Sequence, residues 1–240
     1  MRRRAFGVPP GGPFDRLAAN LARALVGLPE GAPVLEIVLG PLVFEAEGAV
    51  IVAVVGGPDG AFPLQKGERL EVRPIGARAY VGSAPTEGAA PALRARILAD
   101  PPRLGDAPLR VVPGPQATLL EFDAFLTGEY RVGLASNRVG VRLAGARTPH
   151  ALSLPSEPAI PGAVQIPPGG EPIVLGPDGP TIGGYPKVAV VIDADLDRLG
   201  RARPGDRLTF EAVTLEEARA ARKEAQRVCE RRIAELRVRG

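Results

Sequence analysis

Apolar positions recur with two different rhythms along this 240-residue chain. Near the start, Leu17, Leu21 and Leu25 fall at i, i+4 and i+8. Asp15 stands before them as a capping side chain, and Gly27 and Pro29 follow, so the spacing predicts a helix from Arg16 to about Val26. The rhythm then shortens. Residues 34–39, 42–45, 50–55, 69–73 and 77–81 are apolar or alternating runs separated by Gly, Pro and Asp, which predicts strands joined by tight turns. Between 82 and 108 the pattern fades into Ala, Pro and Arg, a connector with a short helix over 90–98. Strands resume at 109–112, 130–134, 139–143, 164–166, 172–175, 188–192 and 207–210. A short amphipathic helix is expected around Leu119, Leu120, Phe122, Phe125 and Leu126.

The last segment has the strongest helical signal. Thr214 and Glu217 form a capping box, and Ala218, Ala221, Ala225, Cys229, Arg232 and Leu236 fall along one stripe of a helix over 214–237. That stripe places Cys229 on a packing face. The fold class is therefore mainly β, in two lobes at 1–108 and 109–240, with a few short helices and a C-terminal helix. Composition agrees: 30 glycines and 27 prolines leave little room for long helices, while 45% hydrophobic residues can fill a core.

Charge and residue counts exclude several functions. The net charge is +3, and the segment from Leu215 to Gly240, with eight basic and five acidic residues, accounts for all of it. No basic face for nucleic acid is spread over a domain, and 4% aromatics without Trp offer no stacking platform. The longest apolar run, residues 49–55, is far short of the roughly 20 residues that span a bilayer. Arg2-Arg3-Arg4 is followed by Gly and Pro rather than an apolar stretch, so no targeting signal is read and a cytoplasmic protein without a membrane partner is expected. Scarce Asn, Cys and Met with proline-rich loops suit a thermophile; a GC-rich genome accounts equally well for the excess of arginine over lysine.

The single Cys and single His exclude an internal disulfide and a conventional zinc site. His150 follows Pro149 in a loop without a G-x-S-x-G elbow, which reads as a surface histidine rather than a triad member. Asp193, Asp195 and Asp197 alternate, but they follow a strand end, so a turn with Asp195 capping a helix is favoured over a three-carboxylate strand face. No metal site is expected of this chain, and no residue is assigned a catalytic role.

The stretch from Ile160 to Val191 carries the informative chemistry. Gln165 sits inside an apolar segment, where an unpaired amide costs desolvation, so it should hold either the protein or a ligand. Gly183-Gly184 is expected to permit positive φ and a backbone anion nest, or simply a tight turn. Pro161–Pro167, residues 171–175 and Thr-x-Gly-Gly-Tyr-Pro at 181–186 resemble the carboxyltransferase-type family that includes the C-type subunit of bacterial 5-oxoprolinase. That family also includes the second subunit of allophanate-hydrolase-type proteins, the carboxyltransferase domain of urea amidolyase and an antagonist of a sporulation-kinase inhibitor. Gly7-Val8-Pro9-Pro10-Gly11-Gly12 with Asp15, Pro113-Gly114-Pro115-Gln116, Ser136-Asn137-Arg138-Val139-Gly140 and Pro204-Gly205-Asp206 extend the resemblance along the chain.

The resemblance implies a cyclophilin-like β-barrel architecture, a companion B-type subunit of related fold and a separate A-type subunit. Together these hydrolyse the 5-oxoproline lactam to glutamate with ATP. Ser136, Asn137, Arg138, Gln165, Thr181, Gly183, Gly184 and Tyr185 are the candidate ligand-binding residues that it implies, Arg138, Gln165, Thr181 and the two glycine amides being suited to phosphate oxygens. Biotin-dependent carboxyl transfer and non-catalytic binding of a B-type kinase inhibitor are the alternatives. The chain departs from the family in the N-terminal lobe, where the Gly-Gly and Gly-Ser-x-Ser-Thr-Asp runs are missing and the connector after Val81 is short.

Overall fold

The structure, a computed structural model, describes residues 4–85, 96–97 and 104–238. The chain divides into two compact units: Asp15–Leu104 with Ala225–Gly240, and Gly105–Glu224 with Met1–Phe14.

In the first unit, strands β1 (Leu35–Val38), β2 (Leu42–Glu45), β3 (Val50–Val55), β4 (Gly60–Leu64), β5 (Arg69–Val72), β6 (Arg78–Pro85) and β7 (Arg96–Ile97) build two sheets, ordered β1-β6-β3-β4-β7 and β2-β5. Helix α1 (Arg16–Leu25) starts at Asp15, whose Oδ1 accepts from the Ala18 amide at 2.9 Å. The period-four leucines of α1 bury one face against Ile51, Ala53, Val55, Ala61 and Tyr80. β4 contains Pro63, which argues against a strand. It pairs with β3 throughout, whereas β7 reaches only Gly60 and Ala61, so Pro63 meets no ladder on its other side among the described residues.

The second unit holds β8 (Leu109–Pro113), β9 (Tyr130–Val132), β10 (Gly140–Gly145), β11 (Glu157–Pro158), β12 (Ala163–Gln165), β13 (Ile173–Leu175), β14 (Ile182–Gly183), β15 (Lys187–Val191), β16 (Arg207–Leu208) and β17 (Phe210–Ala212). Its main sheet runs β16-β9-β10-β13-β12-β15-β8-β17. The two outermost strands, β16 and β17, are separated in sequence by Thr209 alone, so the sheet curls into a nearly closed barrel. Inside, Phe125 lies 4.7 Å from Phe210 and 5.6 Å from Tyr130, ring centre to ring centre. The short ribbon β11–β14 is a separate sheet.

Helix α4 (Leu215–Val238) begins with the expected capping box, Thr214 N donating to Glu217 at 2.7 Å and Glu217 N to Thr214 Oγ1 at 3.2 Å. Its residues pass from one unit to the other at Glu224. No described helix is long and apolar enough to cross a membrane.

Three expectations are corrected. The amphipathic helix near Leu119 is broken: a 3-10 turn (Ala117–Leu119) and α2 (Phe122–Thr127) are separated by Glu121 at φ 50, which leaves Leu119 exposed and buries Leu120 and Phe125. Of the helix expected over 90–98, the described part, Arg96–Ile97, is extended and paired with β4; the remainder lies outside the described residues. Asp195 does precede a helix, α3 (Leu196–Leu199), but its carboxylate grips Arg110 instead of capping, with Arg110 Nη2 to Oδ1 at 2.7 Å and Nε to Oδ2 at 3.1 Å.

Candidate functional site

The second unit gathers polar side chains around Gln165. In a regular ladder, Val188 would face Gln165, since Val164 pairs with Ala189. The register slips between Val164 and Gln165, so Lys187 stands opposite Gln165 instead. Residues directly opposite share a face of the sheet, so the slip turns a buried lysine toward the glutamine. Both are 4% exposed.

Lys187 Nζ donates to Glu157 Oε1 at 2.9 Å and to the Tyr185 carbonyl at 3.4 Å. Gln116 completes the group, its Nε2 donating to Glu157 Oε1 at 2.9 Å while its Oε1 accepts from the Lys187 amide at 2.9 Å. Gly114 makes that approach possible: a Cβ there would lie 2.3 Å from the Lys187 carbonyl oxygen. The Lys187 ammonium, with the Gln116 amide, holds the Glu157 carboxyl below its ordinary value of 4.5, against the opposing effect of burial. Glu157 is therefore an anion at neutral pH.

Glu157 pairs with Gly183 across β11–β14, which sets its side chain on the face to which a Gly183 side chain would point. That face meets Gln165, since a Cβ on Gly183 would come within 3.1 Å of Gln165 Nε2. Four strands thus converge on one small polar cluster. It is incomplete, because Gln165 Nε2 is buried and has no hydrogen-bond partner among the described residues. Leaving such a donor unmade costs roughly 1–3 kcal/mol.

His150 anchors the backbone beside this amide. Its Nδ1 accepts from the Leu152 amide at 3.1 Å, so the proton sits on Nε2, 2.8 Å from the Ile166 carbonyl oxygen. The loop placement is as expected, but both ring nitrogens are engaged and the residue is half-buried.

The other expected residues separate into two groups. Gln165, Gly183 and Tyr185 belong to the cluster; Thr181 is buried one residue before β14, its carbonyl accepting from the Ala159 amide at 2.9 Å, and Tyr185 is 46% exposed at the rim. Gly183 and Gly184 are not among the residues with positive φ, so they form no anion nest. Space is tight at the second of them: a Cβ on Gly184 would lie 3.1 Å from the Leu154 carbonyl oxygen and would press on that backbone. Ser136, Asn137 and Arg138 stand apart. Ser136 Oγ accepts from Arg142 N at 3.0 Å and Asn137 Oδ1 from Val139 N at 2.8 Å, which folds their hairpin. Arg138 forks onto Asp178 at 2.7 and 2.9 Å and donates to the Gly12 carbonyl at 2.7 Å. It braces the turn between β13 and β14.

Gln116, Glu157 and Lys187 were not singled out from sequence. Pro113-Gly114-Pro115-Gln116 carried a signal for the first. Glu157 had none, because a two-residue strand leaves no periodicity. No group of described residues is arranged to hold a metal ion.

Residues 6–62 and 57–212 match the family described as "Carboxyltransferase domain, subdomain A and B". The chain belongs to that family. It is 33% identical to the C subunit of 5-oxoprolinase from Escherichia coli (strain K12), covering 95% of this chain and 90% of the relative. That alignment runs over 282 positions, more than this chain has residues, so the relative has internal segments that this chain lacks. The crystal structure of TTHA0988 superposes with a TM-score of 0.77 at 32% identity, over 87% of this chain and 52% of that one. The Kluyveromyces lactis urea carboxylase shares the fold, with a TM-score of 0.78 at 23% identity over 94% of this chain and 27% of its own. The chain thus spans about half, or less, of the solved structures it matches.

Proposed function

We propose that this chain is the C-type subunit of an ATP-dependent amide-hydrolysing assembly of the 5-oxoprolinase type, opening the 5-oxoproline lactam to glutamate together with A-type and B-type subunits. The similarity to the C subunit of a 5-oxoprolinase, along nearly the whole of both chains, carries this reading. The cluster around Gln165 is its ligand site, with Gln165 donating to the lactam oxygen.

A phosphate cradle built from Arg138 and the Gly183-Gly184 amides is not supported. Arg138 is committed to Asp178, and Gly183-Gly184 lacks the conformation of a nest. ATP use is accordingly assigned to the assembly and not to this cluster. Proton transfer is likewise assigned to the assembly, since the lone histidine holds backbone with both nitrogens and the Lys187 ammonium makes Glu157 a weaker base than an ordinary carboxylate.

Reconstitution tests the proposal. The purified chain alone should neither hydrolyse 5-oxoproline nor turn over ATP above background, and adding A-type and B-type subunits should restore both activities. Lactam hydrolysis by the isolated chain would overturn the shared-site reading. A tight, inactive complex with the B-type partner even when the A-type partner is present would replace it with a regulatory role. Carboxylation of urea with a biotin carrier would replace it with carboxyl transfer.

A further inference from the structure

Glu157, like Gln165, keeps an unfilled hydrogen-bonding position among the described residues. Its Oε1 takes both Lys187 and Gln116, while Oε2 accepts no hydrogen bond from any described residue. The side chain is 34% exposed, so this oxygen is within reach of a ligand. Glu157 lies on the face of β11–β14 that meets Gln165 Nε2 across Gly183. The cluster therefore offers one buried donor and, next to it, one ionised acceptor.

We propose that Gln165 and Glu157 form a two-point subsite that reads the polarity of its ligand. Gln165 Nε2 donates to a ligand oxygen, and Glu157 Oε2 accepts from an N–H on the adjacent ligand atom. Glu157 is then the specificity-determining residue, and Lys187 is a positioning residue that keeps it ionised and correctly turned. The ligand class is an amide, lactam or urea that keeps an N–H beside its carbonyl. An ester or an N-substituted lactam places a lone pair or a methyl group against the carboxylate and is rejected. This inference rests on the reading of the cluster as the ligand site.

Three probes of nearly equal shape separate these features: 2-pyrrolidinone, N-methyl-2-pyrrolidinone and γ-butyrolactone. Ligand-observed NMR titration of the full chain, alone and with its partner subunits, should show 2-pyrrolidinone binding at least about tenfold more tightly than the other two. In Glu157→Gln, a side-chain amide that keeps its oxygen on Lys187 presents N–H₂ where Oε2 was, so the preference should reverse toward γ-butyrolactone. In Gln165→Met all three probes should weaken alike, with their ranking kept. Equal affinities in the wild type, no binding of 2-pyrrolidinone, or an unchanged ranking in Glu157→Gln would each overturn the subsite. Far-ultraviolet circular dichroism on each variant separates a lost contact from a lost fold. Hydrolysis by the reconstituted assembly together with failed probe selectivity would leave the proposed function standing and remove only this subsite.

Discussion

Each unit places a glutamate–cation pair against its interior, and the two pairs are finished differently. In the first, Glu36 uses both oxygens: Arg78 Nε donates to Oε1 at 3.1 Å and Tyr80 hydroxyl to Oε2 at 2.8 Å, and the Tyr80 oxygen accepts from the Asp15 amide at 2.8 Å. The charged side chains are 6% and 13% exposed, and the network ties β1, β6 and the cap of α1 together. Burial and the nearby Glu36 charge drive the Tyr80 hydroxyl well above its ordinary value of 10, so it remains a donor. In the second unit, among the described residues, Glu157 leaves one oxygen open and Gln165 leaves a buried donor unmade. A saturated polar network stabilises one arrangement of the chain. An unsaturated one keeps capacity for a ligand at some cost in stability.

Removing one partner of the saturated network should have the largest effect. Glu36→Ala removes, at a buried site, the carboxylate that accepts from Arg78 Nε and the Tyr80 hydroxyl and should cost about 3–5 kcal/mol in chemical denaturation. Tyr80→Phe removes the hydroxyl that donates to Glu36 Oε2 and accepts from the Asp15 amide, for a loss of about 1–3 kcal/mol.

The open pair should respond more weakly. Glu157→Gln is expected to cost about 1–2 kcal/mol at neutral pH, because the new amide oxygen keeps the bond to Lys187 but no longer supplies a counter-charge to that buried ammonium. Its pH dependence has a defined sign. The carboxyl is held below its ordinary 4.5, so the stabilisation is complete above that value and is lost as pH falls through the lowered folded-state value. Thermal melts of wild type and Glu157→Gln should therefore differ at pH 7 and converge in acid. A gap that widened on acidification would contradict the ion pair.

Gln165→Met should have the smallest effect on stability, neutral to slightly stabilising, because it replaces an orphaned amide with an apolar chain of similar volume. A loss of about 2 kcal/mol or more would mean that Gln165 is a structural amide, and the contrast between the two units would disappear.

Local rules were enough for the elements with strong periodicity or end signals. The helix behind Asp15, the capping box at Thr214 and the run of strands in both units follow from spacing and turn residues, because each depends on side chains a few positions apart. The left-handed break at Glu121 and the pairing of Pro63-containing β4 depend on neighbours distant in sequence, and they escaped local reading.

The candidate site divides in the same way. The sequence alone marked Gln165 as an amide in an apolar strand, since burial cost is a property of a single position, whereas the positive φ expected of Gly183-Gly184 is not adopted. It gave no sign of the partners of Arg138, equally polar and equally part of a family-like motif. Tertiary structure supplied them, by setting Asp178 and Gly12 within hydrogen-bonding distance. It also brought Glu157, Lys187 and Gln116 to Gln165 through a slipped register and a two-residue ribbon. Hydrogen bonds act over about 3 Å, and only the folded chain determines which distant residues come within that range.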